Sequence, residues 1–181
     1  SREAAIRIDL QLELIIIILF INLSFFSSFA DENITKNLNL FMGDWIINCS
    51  SNSNKNEKSC ALERSLFVDQ EKKNKLITIS MLTKSPSSDV RFVLISPLGT
   101  LVQSGVKIGF DGEFVSKNPY GFNICQNYGC ITSMMVKKET LERFKKSNNL
   151  NLEYIGSKGQ KIEIKFSLDG FKKEFKKITN N

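Results

Sequence analysis

Four cysteines, Cys49, Cys60, Cys125 and Cys130, supply the only thiols of a 181-residue chain that contains no histidine. The missing imidazole removes Ser-His-Asp and Cys-His nucleophile activation, histidine general bases and histidine metal ligation. The thiol spacings are C-x10-C and C-x4-C. Three disulfide connectivities are open to four cysteines. Cys49 ends one apolar segment and Cys60 begins the next, so a hairpin sets them opposite each other. The local pairing, Cys49–Cys60 with Cys125–Cys130, is therefore expected. The ten polar residues between the first pair, SSNSNKNEKS, are expected to form a flexible loop. Closing a loop of that size stabilises by ~3 kcal/mol in the chain-entropy model. The rival is a four-thiolate zinc site, but zinc knuckles use tight C-x2–4-C pairs and only the second pair fits. A C-x-x-C redox motif is absent, which argues against an oxidoreductase.

Carboxylates offer a second chemistry. Asp44, Asp111 and Glu113 could act as an acid/base pair for glycoside hydrolysis, although Asp111 already has a sufficient role in an Asp-Gly turn. No DxDxDG-like cluster suggests calcium. Ser157-Lys158 and Ser116-Lys117 are adjacent pairs that alternate faces on a strand, which is not the geometry of a Ser/Lys dyad. Asp44 beside Trp45 could line a sugar- or peptide-binding cleft, yet a lone Trp at a strand start more often packs against a disulfide in a sandwich core. Tyr120, Phe122 and Tyr128 form an aromatic loop around the second cysteine pair. It reads equally well as an exposed partner-binding tip or as core cover. No catalytic residue, cofactor site or metal site emerges.

These groups must be carried by strands. Trp45, Ile47 and Cys49 alternate with Asp44, Ile46 and Asn48 in a first strand expected to be mostly buried. Cys60–Val68 and Lys75–Thr83 follow, the latter with Ile77, Ile79 and Met81 on one face. Val90–Ser96 is nearly all apolar and predicts a central strand. Pro97-Leu98-Gly99 predicts a turn with Pro second and Gly fourth, and Asp111-Gly112 a tight hairpin. Cys130–Val136 is a further strand. Lys138–Lys146 is the clear helix, with Leu141 and Phe144 on one side and Glu139–Arg143 and Glu142–Lys146 at i,i+4. Leu150, Leu152 and Tyr154 alternate in the next strand, and a Ser157-Lys158-Gly159 turn leads to the alternating Lys161–Leu168. Phe171–Ile178 predicts a short amphipathic C-terminal helix with Phe171 and Phe175 against the core. Many short strands with frequent turns indicate an antiparallel sandwich or barrel.

The apolar run Leu14–Phe29 spans sixteen residues, short of the ~20 needed to cross a bilayer and suited to a secretory h-region. Ser28 and Ala30 place small residues at −3 and −1 of a cleavage point before Asp31. Residues 1–30 are thus expected to be a cleaved signal peptide, and 31–181 a single domain in an oxidising compartment, which favours disulfides. The whole chain carries 25 Lys+Arg against 19 Asp+Glu; residues 31–181 carry 23 against 16, a net charge of +7.

Read in order, Gly43-Asp44-Trp45, Cys49 and Cys60, then Pro97-Leu98-Gly99, Leu101, Gly105 and Asp111, then Phe122, Cys125 and Gly129-Cys130, and finally Ser167-Leu168-Asp169-Gly170-Phe171, the chain resembles the invasion-associated locus B family. The similarity runs from about Phe41 to Lys177. It implies an immunoglobulin-like β-sandwich in an exported protein of the Gram-negative envelope, periplasmic or on the outer surface. The family's founding association is with host-cell entry, while most members have no assigned activity. This chain departs in carrying charged Glu63-Arg64 soon after Cys60, where glutamine-bearing segments are common. It is also rich in Lys and Asn.

Basic residues cluster at Lys172, Lys173, Lys176 and Lys177, and at Lys137, Lys138, Lys145 and Lys146 on or beside the predicted helix. Such patches attract anionic partners over distance. In an envelope those are lipopolysaccharide, anionic lipid or acidic polymer, so peripheral membrane contact or another envelope protein is the expected partner. Solvated surface lysines are the plainer explanation. Nucleic acid is not expected as a partner, because export would remove the opportunity and no recognition motif accompanies the charge. The expected activity is binding through Lys172, Lys173, Lys176, Lys177, Tyr120 and Tyr128, with a glycan hydrolase or a purely structural envelope protein as rivals.

Overall fold

The structure, a computed structural model, describes residues 40–52, 57–85 and 89–179. The apolar segment and the cleavage point before Asp31 lie outside the described residues. Among the described residues eleven strands run in chain order: β1 (Phe41–Met42), β2 (Ile46–Asn52), β3 (Glu57–Phe67), β4 (Lys75–Ser85), β5 (Val90–Ser96), β6 (Val106–Phe110), β7 (Glu113–Phe114), β8 (Ile124–Gln126), β9 (Gly129–Met135), β10 (Asn149–Ile155) and β11 (Lys161–Ser167). Helix α1 (Lys138–Lys146) links β9 to β10, and α2 (Phe171–Thr179) follows β11. All strand pairings are antiparallel. The larger sheet runs β1-β3-β4-β5-β9-β8, with β2 sharing the outer edge of β3; the smaller runs β11-β10-β6-β7.

The core forms where period-two faces of the two sheets meet. Leu62, Ile77, Ile79, Met81, Phe92 and Leu94 come from the larger sheet, and Val106, Ile108, Leu150, Leu152, Ile164 and Phe166 from the smaller. Phe144 of α1 enters from the β9–β10 connection. Its ring lies 5.3 Å from Phe92, 4.7 Å from Phe110 and 5.5 Å from Phe171. One aromatic side chain thus joins both sheets and both helices. The result is the all-β antiparallel sandwich, with one short helix, a C-terminal helix and two local disulfides, that the strand pattern and the resemblance implied. Cys49–Cys60 and Cys125–Cys130 are both bonded and stand directly opposite in register across β2–β3 and β8–β9.

Several expectations are corrected. β2 is not mostly buried: Asn48, Cys49, Ser50 and Ser51 are exposed and Ile46 is 57% exposed. A seven-stranded sheet is wider than the four-stranded one packed on it, so its edge strand is left uncovered. The Pro97 turn is displaced by one position. Leu98 and Gly99 are its central residues, and Gly99 has φ +88°, as the third place of a type II turn requires. Asp111 and Gly112 both have positive φ, 47° and 96°, the signature of the expected two-residue hairpin between β6 and β7. The helix ion pairs also differ. Glu142 takes Lys145 at 2.9 Å, and Arg143 reaches off the helix to Glu113 at 3.4 Å.

Candidate functional site

The end of α1 and the start of α2 lie side by side because Leu168 N donates to Asn148 O (2.8 Å), tying the β11–α2 connection to the α1–β10 connection. Between them opens a cleft of about 750 Å³. Lys145 and Lys146 come from the last turn of α1; Lys172, Lys173 and Lys176 come from α2. Asn148, Asn149, Ser167 and Asp169 complete the polar lining. The two lysine clusters, distant in sequence, therefore form one basic wall. Among the described residues Lys146, Lys172, Lys173 and Lys176 make no ion pair, whereas Lys145 is bonded to Glu142. Lys177 stands apart from the wall and is bonded to Glu174 at 2.6 Å. Lys137 and Lys138 stand at the opposite end of α1.

The position of these charges matters as much as their number. Cations near a helix C-terminus complement the macrodipole, and Lys145 and Lys146 do so. Lys172 and Lys173 occupy the first turn of α2, where the positive end of the dipole disfavours them. Helix stability does not explain their placement. They instead concentrate positive potential, with that of the helix end, on one cleft.

Beneath the cleft the backbone is held by Arg64. Its guanidinium donates to Gly43 O (2.7 Å), Ser167 O (3.0 Å) and Asp169 O (3.1 Å) and lies 5.3 Å from the centre of the Trp45 ring. Burial lowers its pKa, partly offset by Asp169 and Asp44. Trp45 packs edge-on against Phe171 at 5.4 Å, and its Nε1 donates to Asp169 O at 2.6 Å. Trp45 is thus a structural side chain, but its partner is α2 and not a disulfide. The connection into α2 crosses the strand just where Trp45 precedes β2.

The remaining candidates separate. Tyr120 and Phe122 are half-buried and pack against the core, while Tyr128 is 59% exposed at the β8–β9 tip beside Cys125–Cys130. The carboxylates are committed elsewhere. Asp111 accepts from Asn148 N (3.1 Å), Asn149 N (2.9 Å) and Asn149 Nδ2 (3.2 Å), and Glu113 pairs with Arg143. Asp44 is exposed in the β1–β2 connection. Among the described residues no group of three His, Cys, Asp or Glu side chains is placed to hold a metal ion.

Fold and site together define a disulfide-pinned antiparallel β-sandwich with a cleft lined by five lysines between its two helices. The family model described as Invasion associated locus B (IalB) protein matches residues 45–179, and the chain belongs to that family. The crystal structure of invasion associated protein b from Bartonella henselae superposes with a TM-score of 0.64 at 19% identity, covering 77% of this chain and 95% of that one. At that identity the likeness speaks for the fold alone. Comparison with curated protein sequences finds no match.

Proposed function

We propose that this protein is exported to the envelope and works by binding rather than catalysis, presenting the α1–α2 cleft to an anionic envelope component. The observation that carries this reading is the convergence of Lys145, Lys146, Lys172, Lys173 and Lys176 on one cleft, two of them where the helix dipole opposes their charge. Membership of a family associated with invasion, and disulfides suited to an oxidising compartment, support the location. Export itself is tested by N-terminal sequencing of the protein recovered from the periplasm: a chain beginning at Asp31 supports it, and retention of residues 1–30 counts against it.

Binding is tested by co-sedimentation with lipopolysaccharide-containing vesicles and with neutral phosphatidylcholine vesicles. The expected result is retention on the anionic vesicles only, lost when Lys146, Lys172, Lys173 and Lys176 are changed to Glu. Charge reversal at Lys58 and Lys75, which do not line the cleft, should leave it intact. Equal retention of both variants would refute a localised site. In-cell crosslinking separates this from a purely structural role, because a reproducible partner should depend on the same four lysines.

A further inference from the structure

A lysine ammonium rides on a flexible four-carbon stem, so several lysines bind one group well only if the backbone that carries them is held in place. The lysines of the cleft stand on two walls, Lys145 and Lys146 at the end of α1 and Lys172, Lys173 and Lys176 on α2. Each wall is gripped by one charged side chain that does not itself line the cleft, Arg64 for α2 and Asp111 for α1.

Arg64 donates to Ser167 O (3.0 Å) and Asp169 O (3.1 Å), both in the connection that enters α2, while its Nε holds Gly43 O at 2.7 Å. Trp45 Nε1 donates to the same Asp169 oxygen at 2.6 Å, and the Trp45 ring packs on Phe171, the first residue of α2. Gly170, with φ +77°, turns the chain between those two contacts. Lys172 and Lys173 follow directly, so the grip on residues 167–171 sets the direction in which they leave. On the other wall, Asp111 Oδ2 accepts from Asn148 N (3.1 Å) and Oδ1 from Asn149 N (2.9 Å), just past the end of α1. The bond from Leu168 N to Asn148 O joins the two grips.

We infer that Arg64 and Asp111 are positioning residues of the cationic cleft, holding its two walls at the spacing at which lysines from both reach one anionic group. This rests on the reading of the cleft as the binding surface. Charge separates positioning from simple attraction. Arg64→Lys keeps the positive charge and loses the planar fork, so attraction alone leaves binding unchanged. Asp111→Gly accommodates the φ of +47° and removes a negative charge next to the cleft, so attraction alone makes binding tighter. Positioning makes both variants bind more weakly, against the sign of the charge change at Asp111.

Co-sedimentation of the full chain with lipopolysaccharide-containing vesicles, titrated in lipid at one ionic strength, tests this. The temperature is one at which circular dichroism shows every variant folded. The expected result is an apparent affinity lower by roughly tenfold for Arg64→Lys and for Asp111→Gly. Ile77→Val, a core change in β4, lowers stability without touching either wall and should bind as the wild type does. If Asp111→Gly fails to fold, Asp111→Asn gives the same test of sign, since it removes the charge and one of the two acceptor oxygens. Unchanged binding by Arg64→Lys, or unchanged or tighter binding by the Asp111 variant, overturns the assignment of that residue and leaves the lysine cleft standing. Weakening of Ile77→Val to the same degree assigns the losses to stability and overturns both assignments. A wild-type protein that is not retained overturns the cleft reading and this inference with it.

Discussion

Arg64 shows how much structure one residue can organise. It satisfies three backbone carbonyls in two segments far apart in sequence and covers Trp45. Its planar fork suits this task and an ammonium does not. Arg64→Ala leaves carbonyls unpaired at about 1–3 kcal/mol each when desolvated, so a loss of roughly 2–4 kcal/mol is expected from urea unfolding, with Arg64→Lys between that and wild type. Asp111 performs a similar task at the other side of the α1 exit. Burial raises its pKa, but hydrogen bonds from Asn148 and Asn149 outweigh it and the net shift is downward. A depressed carboxylate contributes stability that is full above its unfolded value, about 3.9, and is lost as pH falls through the folded value. Asp111→Asn keeps the turn, since Asn tolerates positive φ, and removes the charge. The variant should be less stable near neutral pH, and the difference from wild type should vanish in strong acid. Denaturant midpoints across that range check it, and a pH-independent difference would show that the charge plays no part.

At the scale of elements, α1 is stabilised by what it buries more than by its own surface. The expected i,i+4 pairs are replaced by Glu142–Lys145 and an off-helix contact to Glu113, each worth a few tenths of a kcal/mol. Phe144, 1% exposed, is the side chain that fixes the helix on the sandwich. Phe144→Ala should cost about 3–5 kcal/mol, and a double-mutant cycle with Phe110 should show coupling of ~0.5–1.5 kcal/mol beyond area loss. Calorimetry of the four proteins measures both. Additive losses would mean that the edge-to-face contact at 4.7 Å contributes nothing of its own. Gly129 sets the limit at the other disulfide: with φ +143°, an added Cβ would lie 2.4 Å from Ser96 O, so the β8–β9 hairpin approaches β5 only with glycine there.

For the whole molecule, the excess of positive charge is not spread evenly. Four lysines without ion pairs among the described residues meet at one cleft, while two lysines of the smaller sheet are paired: Lys107 and Lys161 both hold Glu153, each at 2.8 Å. Retention on anionic vesicles should therefore fall steeply between about 0.01 M and 1 M salt, as the screening length drops from ~30 Å to ~3 Å. The Glu153 cluster, at the centre of its sheet and 11% exposed, should be much less affected, as measured by the stability difference of Glu153→Gln at the two ionic strengths. Binding that persists unchanged in high salt would indicate an apolar contact, with Tyr128 as the exposed aromatic to test.

Along the chain, most of this was legible. Period-two alternation located β4, β10 and β11, because each side chain's face follows from its neighbours two residues away, and a nearly all-apolar run located β5. The spacing and local composition around Cys49–Cys60 and Cys125–Cys130 identified the bridges, and Lys138–Lys146 declared its helix through i,i+3 pairing. What local pattern could not convey was which strand becomes an edge, what Trp45 packs on, and that Lys145 and Lys146 share a wall with Lys172, Lys173 and Lys176. Those depend on contacts between segments twenty or more residues apart. The hydrogen bond between Leu168 and Asn148, and the unequal widths of two sheets, decide them only when the whole chain has folded.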